Sequence, residues 1–355
     1  MPPIPTCFPE PTHDPVRIGV IGLGRSGYNI HCQNLATISD HFTIAAVSDP
    51  NAERCAEARE AYGCAVYAGV DELIADPSLE VVAVASPNLL HEEQACAAME
   101  AGKHAVVEKP LSLSTEGADR MIACAGSAGR VLAPFQNRRF EAHLRKVREV
   151  IDSGVLGRII QIRIDWSGFT RRWDWQTLRS RGGGNLHNHG VHLLDHALEL
   201  FGEGTPEVFI DTQRALTLGD AEDHVKLILR GEGRPTIDIE SSSCCAYPMK
   251  RWHVWGTAGG LVGTDRELEW RYVDWSTMPE RAVDDGPAEG RVYQNEVYDW
   301  QTGRWEDPKT DPDVAVLFYL NLYEVLRNGA ELVVTPESVR RQMHVLDQCH
   351  EQMGI

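Results

Sequence analysis

The sequence predicts an α/β fold with a doubly wound parallel sheet, followed by an α+β domain with an open antiparallel sheet. Three observations predict it. Apolar strand patterns alternate with helical patterns from residue 16 to about residue 134, which is typical of β-α-β units. A glycine-rich turn joins the first strand to the first helix. Beyond about residue 141, strand patterns follow one another, which favours an antiparallel sheet.

In the first part of the chain, strands are predicted at residues 17–21, 43–47, 80–85, 104–107 and 131–133. Helices are predicted between them at 27–38, 52–62, 91–101 and 115–128. Right-handed crossovers place such helices on both faces of a parallel sheet.

In the second part, helices are predicted at 143–153, 191–201, 313–327 and 336–351. Strands are predicted at 158–167, 207–215, 224–230, 236–243, 250–256, 260–263 and 268–272, and a loop-rich stretch at 274–290.

The first strand runs directly into a glycine-rich turn, whose residues are Gly22, Leu23, Gly24, Arg25, Ser26 and Gly27. In this strand–turn–helix setting, G-x-G-x-x-G is the fingerprint of a dinucleotide-binding Rossmann domain, with the pyrophosphate at the helix N-terminus. Asp49 follows the second strand, 22 residues after Gly27, where an acid meets the adenosine ribose. Its carboxylate would repel a 2′-phosphate, so we predict NAD, with NADP as the less favoured alternative because Arg54 lies close by.

Three further segments follow predicted strands, at the sheet edge where open α/β folds bind ligands. Glu108 and Lys109 follow the strand at 104–107, and packing alone explains a lysine there poorly; both are predicted to contact the cofactor. Ser86, Pro87 and Asn88 follow the strand at 80–85, and His91 opens the next helix. We expect these four residues on the nicotinamide side of the crevice, where Asn88 can also cap the helix. After the strand at 131–133, Arg138 and Arg139 are candidates for contact with substrate or cofactor.

Four histidines follow the flexible stretch Gly182–Gly184, at His187, His189, His192 and His196. A helix that starts near Asn188 would place Asn188, His192 and Asp195 on one face, toward the substrate. We predict no metal, because the His192–His196 pair has no evident third ligand. The other histidines are expected to be hydrogen-bonded packing residues. Trp173 and Trp175 lie in an irregular segment just upstream and are candidates for stacking on a sugar ring.

Composition excludes several function classes. The chain has 355 residues, a net charge of −18 and 43% hydrophobic residues, so nucleic acid and anionic membranes are disfavoured as partners. No apolar run approaches the roughly 20 residues that span a bilayer. Nine scattered cysteines without a C-x-x-C pattern suit a cytoplasmic protein with reduced thiols. The tryptophan-rich second sheet predicts a homodimer or homotetramer.

These motifs together resemble the Gfo/Idh/MocA oxidoreductases. The resemblance rests on the glycine turn, the sequence around Asp49, the segment from Ser86 to His91, Glu108-Lys109-Pro110, and the segment from Gly182 to Asp195. It implies a catalytic lysine, here Lys109, which stabilises the substrate oxygen, and a histidine, here His192, which acts as the base. The family usually has aspartate where this chain has Asn188, and Asp195 could supply the missing charge.

The resemblance implies an NAD-dependent dehydrogenase that transfers a hydride between nicotinamide and a hydroxyl carbon of a sugar, sugar derivative or cyclitol. One alternative is a redox-assisted lyase or glycosidase that passes through a transient keto-sugar. A second alternative is a non-catalytic NAD(H)-binding regulatory protein, which the presence of Lys109 and His192 disfavours. We predict a proline-rich tail (1–14), a dinucleotide-binding domain (15–138), a substrate and oligomerisation domain (139–335), and a C-terminal helix (336–355) that packs on the first domain.

Overall fold

The first sheet has six parallel strands. A computed structural model describes residues 10, 11, 13–283, 285–287, 293 and 295–354. The strands are β1 (Val16–Ile21), β2 (Phe42–Ser48), β3 (Ala65–Val66), β4 (Val81–Val84), β5 (His104–Val107) and β6 (Leu132–Pro134). Their order is β3-β2-β1-β4-β5-β6, so the strand order reverses between β1 and β4. A ligand crevice opens at such a reversal, beyond the carboxyl ends of the strands. The predicted doubly wound sheet is confirmed.

Helices cover both faces of this sheet, and the central strands β1 and β4 bury nearly every residue, on both faces. The first helix begins as a π-helix (Arg25–Cys32) and continues as α1 (Gln33–Ala36). The others are α2 (Ala52–Tyr62), α3 (Val70–Ile74), α4 (His91–Glu100) and α5 (Thr115–Ala128). Asn51 and Ser114 cap α2 and α5 through their side-chain oxygens. The sequence did not indicate β3 or α3, since neither is long enough to show a period.

The second sheet has eight strands and is antiparallel except for one pair. The strands are β7 (Ile159–Ser167), β8 (Glu207–Gln213), β9 (His224–Arg230), β10 (Thr236–Ser242), β11 (Trp252–Gly256), β12 (Gly259–Gly263), β13 (Glu267–Val273) and β14 (Trp300–Glu306). Their order is β14-β13-β12-β11-β7-β10-β9-β8. The predicted antiparallel sheet is confirmed. The one difference among the pairs of this sheet is that β7 and β10 are parallel. The edge strand β14 was absent from the prediction.

One face of the second sheet packs against helices, and the other carries polar and aromatic side chains. The helices of this part are α6 (Ala142–Asp152), α7 (Val191–Phe201), α8 (Val314–Asn328) and α9 (Pro336–Met353). Alternate residues of β9 and β10, such as Leu227 and Ile239, are fully buried. On the opposite face, Phe209 and Trp255 are about half exposed. The period-2 pattern of the strands therefore sets which face meets the core.

The last helix lies against both halves of the chain. The Thr115 amide at the start of α5 donates to Asp347 on α9 at 2.9 Å. Gln342, also on α9, is fully buried, accepts from Gln136 after β6 and donates to the carbonyl of Val191 on α7. Of the predicted tail, residues 1–9 and 12 lie outside the described residues, as do 284 and 288–290 of the predicted loop. Within the part of the chain that the structure describes, no helix combines the length and apolarity needed to cross a membrane.

A buried ion pair links the segment after β6 of the first sheet to helix α7 of the second part of the chain. Arg139, just after β6, is 1% exposed, and its Nε donates to Asp195 of α7 at 3.0 Å, while its Nη2 contacts the second carboxylate oxygen. The Arg139 Nη1 donates to Ser338 Oγ of α9 at 2.8 Å. A planar guanidinium matches a carboxylate through two parallel hydrogen bonds. Three elements that are distant in the sequence are therefore fixed at one point.

We expect Arg139→Met to lower the free energy of unfolding by about 3–5 kcal/mol, because the Asp195 carboxylate would remain buried without its partner. Urea unfolding measures the change. The control is Arg340→Met, which breaks an exposed pair with Asp119 and should cost less than about 1 kcal/mol. Replacing both buried partners, Arg139→Met with Asp195→Leu, should recover most of the loss. Equal losses in the Arg139 and Arg340 variants would contradict this account.

Candidate active site

The glycine-rich turn forms a cradle at the carboxyl end of β1. Gly22 has a φ of +86°, and a Cβ there would lie 2.7 Å from the Ala85 carbonyl oxygen. A Cβ on Gly27 would lie 1.7 Å from the Gly22 carbonyl oxygen, so the chain can close this turn only with glycine at both positions. A Cβ on Gly24 would meet no atom within 4 Å. The middle glycine therefore leaves open space above the first turn of the helix, where a pyrophosphate fits.

The cavity beside this cradle measures about 390 Å³, and its lining includes Leu23, Gly24, Arg25 and Arg54. Asp49 directly follows β2. One carboxylate oxygen of Asp49 accepts from the Leu23 amide at 2.6 Å, and the other accepts from the Asn51 amide at 2.8 Å. The carboxylate thus ties the glycine turn to the end of β2. Arg54 Nη1 lies 3.8 Å from Asp49, and its side chain is half exposed.

The segment after β4 lies beside the glycine turn, with Ala85 and Ser86 against Gly22. Ser86 Oγ donates to Gln94 at 2.6 Å. His91 is 1% exposed, with one ring nitrogen 2.9 Å from the Pro110 carbonyl and the other 3.0 Å from the Ser86 carbonyl. Burial lowers the pKa of His91, although the two carbonyls oppose that shift. Both ring nitrogens thus lie against backbone carbonyls, and the imidazole links the ends of β4 and β5. Contact of His91 with the cofactor stays a prediction.

Lys109 lies at the carboxyl end of β5, and its Nζ donates to the Asn188 carbonyl at 3.3 Å. Burial lowers the pKa of Lys109, and the neighbouring Glu108 opposes that shift. Glu108 is buried and accepts from the Lys109 amide at 2.9 Å. Its other oxygen lies 3.3 Å from His31 Nε2, and His31 Nδ1 lies 2.6 Å from the Tyr319 hydroxyl. The backbone of Lys109 is thus held by Glu108, and further buried polar contacts connect Glu108 to His31 of the first helix and Tyr319 of α8.

The helix that carries His192 starts with a π-turn. Leu186–Gly190 is π-helical, and the α-helical α7 follows from Val191. The wider turn rotates the residues that follow relative to a regular helix. Within α7, Asp195 pairs with Arg139 through both carboxylate oxygens. Contact of Asp195 with substrate, or with His192 as a source of charge, stays a prediction.

His192 is 8% exposed, and its buried Nδ1 has no hydrogen-bond partner among the residues that the structure describes. Burial, followed by the charge of Lys109, holds the pKa of His192 well below its ordinary value. His192 is therefore a neutral imidazole at physiological pH, one helical turn after the residue whose carbonyl binds Lys109. A neutral ring can accept a proton.

Comparison with known proteins supports this geometry. The model of an oxidoreductase family with an NAD-binding Rossmann fold matches residues 16–136, and the GFO/IDH/MocA C-terminal domain matches residues 144–262. A myo-inositol 2-dehydrogenase of Thermotoga maritima is 38% identical over 69% of this chain and 74% of its own length.

The chain belongs to the Gfo/Idh/MocA oxidoreductase family. The scyllo-inositol 2-dehydrogenase (NADP(+)) of Bacillus subtilis is 28% identical over 95% of this chain and 94% of its own. The solved structure of an NAD-binding protein from Listeria innocua superposes with a TM-score of 0.77, at 26% identity, over 95% of each chain. This member of the family is accordingly an oxidoreductase that uses a nicotinamide dinucleotide, and the family expected from the sequence is confirmed.

Glu222 shapes the catalytic helix, although no sequence motif marks it. Its Oε1 accepts from the Leu186 amide at 3.1 Å, which caps the π-turn. A Cβ on Gly184, where φ is +111°, would lie 2.1 Å from that same oxygen. Glycine at position 184 is therefore required by packing and by its positive φ.

The other histidines of the segment have separate partners. His187 Nε2 lies 2.9 Å from His350 Nε2 of α9, and His196 Nε2 lies 3.1 Å from the Arg138 carbonyl. His189 stacks on Trp166 with ring centroids 4.5 Å apart. Within the described residues, no group of three His, Cys, Asp or Glu side chains is placed to hold a metal ion.

Trp166 and two arginines border the site on the second-domain side. The guanidinium carbons of Arg138 and Arg251 lie 4.6 and 4.3 Å from the Trp166 ring centroid. Trp173 and Trp175 are 75% and 52% exposed. Sequence reasoning missed Trp166, because it lies inside the predicted strand at 158–167 of the second sheet, whereas the rule that selected Lys109 applies to residues that follow parallel strands.

Buried neutral histidines make stability depend on pH. Burial lowers the pKa of His196 to about 4, whereas an unfolded histidine titrates near 6.5. Between these values the unfolded chain binds more protons, so stability falls as pH falls. Raised pKa values of Glu222 and Glu199 act in the opposite direction, so a comparison of variants is needed.

Between about pH 7.5 and about pH 5, we expect the wild type to lose about 2 kcal/mol more unfolding free energy than His196→Gln. Urea unfolding at each pH measures the difference. His344→Gln, a change at an exposed position of α9, is the control and should follow the wild type. Parallel pH profiles for all three proteins would show that His196 is not held neutral by the fold.

Proposed function

We propose that this protein is an NAD-dependent dehydrogenase that transfers a hydride between nicotinamide and a hydroxyl carbon of a sugar, sugar derivative or cyclitol. The observation that carries the proposal is the contact between Lys109, at the end of β5, and Asn188, one turn before His192. It brings an ammonium group and a neutral imidazole to the crevice beside the glycine cradle. The inositol dehydrogenases among its relatives support a polyol substrate.

Oxidation of a carbinol needs a base for the hydroxyl proton and a cation for the oxygen. His192 accepts the proton, and its depressed pKa keeps it in the required neutral form. Lys109 donates a hydrogen bond to the substrate oxygen and stabilises its developing charge. A bound nicotinamide ring supplies the hydride acceptor. Asn188, unlike an aspartate, adds no negative charge that would raise the pKa of His192.

The cofactor is held by the glycine turn and Asp49. The Asp49 carboxylate meets the adenosine ribose, and the open space at Gly24 receives the pyrophosphate. Of the segment after β4, Ser86, Pro87 and Asn88 face the nicotinamide. The expected homodimer or homotetramer remains a prediction, which light scattering of the purified chain would test.

Lys109→Met should lower turnover roughly 100-fold or more, because it removes a preorganised cation from the transition state. NAD affinity, measured by titration, should stay within about threefold of wild type, because the dinucleotide contacts lie elsewhere. A screen of sugars and cyclitols with NAD, followed by absorbance of the reduced cofactor, identifies the substrate for this test. Lys146→Met, at a surface ion pair of α6, is the control. Wild-type turnover in the Lys109 variant would remove this lysine from the mechanism.

The wild type should bind NAD more tightly than NADP. Asp49→Ser should weaken NAD binding about 10-fold or more, since charged hydrogen bonds are worth about 1.5–3 kcal/mol. The same substitution should also reduce the ratio of NAD affinity to NADP affinity. It removes the repulsion of the 2′-phosphate and frees Arg54 from its pairing with Asp49. Adding Arg54→Gln to the Asp49→Ser variant should abolish the gain in NADP affinity. Tighter binding of NADP to the wild type would show that Asp49 does not select the cofactor.

A further inference from the structure

Trp166 is the centre of a group of cationic and aromatic side chains next to the proposed base. We call Trp166, His189, Arg138 and Arg251 the Trp166 cluster. His189 lies parallel to the Trp166 ring, within 8°, and both arginines lie over that ring. The ring centroid of His192 lies 6.4 Å from that of Trp166. The cluster therefore borders the place where the substrate hydroxyl must bind.

The arginines near the site differ in how their charges are balanced. Arg138 pairs with Glu141, and Arg172 pairs with Asp174 at 2.8 Å. Arg251 has no carboxylate oxygen within 4.0 Å among the residues that the structure describes. Its Nη1 is buried and has no hydrogen-bond partner within the described part of the chain. Buried polar atoms are nearly always hydrogen-bonded, and an unpaired buried charge is costly.

Three acids, Glu141, Asp265 and Asp165, act on the charge of Arg251, and none of them forms an ion pair with it among the described residues. Glu141, whose charge acts on Arg251, is already engaged by Arg138 and lies 2.9 Å from His143 Nε2. Asp165 accepts from Ser167, and burial raises its pKa. After burial itself, the charges that lower the pKa of His189 are Lys109, Arg172, Arg138 and Arg251. The site is thus locally positive in a chain whose net charge is −18.

We propose that Arg251, with Trp166 beneath it, is a subsite for a carboxylate group on the substrate, so that the polyol oxidised is a sugar acid or a carboxylated cyclitol. This inference rests on the proposed function and makes it more specific. A guanidinium presents a planar fork that matches a carboxylate through two hydrogen bonds. One unpaired arginine balances one negative charge, which favours a carboxylate over a phosphate dianion. The carboxylate takes no part in the hydride transfer.

The test compares matched substrates with NAD. The panel contains glucose and myo-inositol as neutral polyols, glucuronate, galacturonate and gluconate as acids, and glucose 6-phosphate as the phosphate. We expect kcat/KM for the best acid to exceed that of the best neutral polyol by about 10-fold or more, as one charged hydrogen-bonded pair provides. Raising the salt concentration should increase KM for the acid, because ions screen the attraction.

Arg251→Gln should reduce the acid-to-neutral ratio of kcat/KM by about 10-fold or more, chiefly through KM for the acid. Arg158→Gln removes the same charge at an exposed position before the opposite end of β7 and should leave the ratio unchanged. If Arg251→Gln does not fold, Arg251→Lys keeps the charge without the planar fork, and the ratio should fall by a smaller factor.

The outcomes separate the two proposals. Oxidation of neutral polyols in preference to acids would overturn the carboxylate subsite and leave the proposed dehydrogenase intact. Preference for the phosphate would show that the group bound is not a single charge, and would also overturn it. Failure of every polyol, charged or neutral, to reduce NAD would instead contradict the proposed function.

Discussion

Arg139 and Asp195 form the buried ion pair on which the geometry of the site depends. Arg139 follows β6 of the nucleotide-binding sheet, whereas Asp195 lies on the helix that carries His192. Two charges removed from water are tolerated only with close hydrogen bonding, so the pair permits one arrangement of these elements. Lys109 emerges from β5, the strand next to β6. Fixing the helix at Asp195 therefore also fixes the distance between the lysine and the helix that it contacts.

The charge of the site follows from that arrangement. Because Asp195 is committed to Arg139, and position 188 is an amide, no carboxylate of the catalytic helix pairs with His192. Its imidazole is surrounded by Lys109 and Arg138, and both lower its pKa in addition to the effect of burial. A neutral base beside a cation suits removal of a hydroxyl proton. The same excess of positive charge explains how an acidic chain could select an anionic substrate.

The sequence predicted what depends on local pattern. The β1 strand, the glycine turn and Asp49 follow one another within one supersecondary unit, so their spacing carries the geometry. Lys109 was identifiable because the end of a parallel strand is a general ligand position. The contacts that the sequence could not predict depend on residues far apart in the chain. The partner of Asp195 lies 56 positions earlier in the chain, and the two backbone acceptors of His91 are set by the packing of β4 against β5. The π-turns have no periodic signature in the sequence. The role proposed for Arg251 depends on its contact with Trp166, which only the structure shows.

The central claim is that a substrate bound beside Lys109 and His192 transfers a hydride from one of its hydroxyl carbons to nicotinamide. The most direct measurement uses a substrate from the polyol screen that is deuterated at its hydroxyl carbons, followed by mass spectrometry of the recovered cofactor. Our account predicts one deuterium on the reduced nicotinamide for each substrate oxidised. Deuterium that enters the cofactor and returns to the product would indicate transient redox chemistry in place of net oxidation. A cofactor that never acquires deuterium while the substrate is converted would contradict the account.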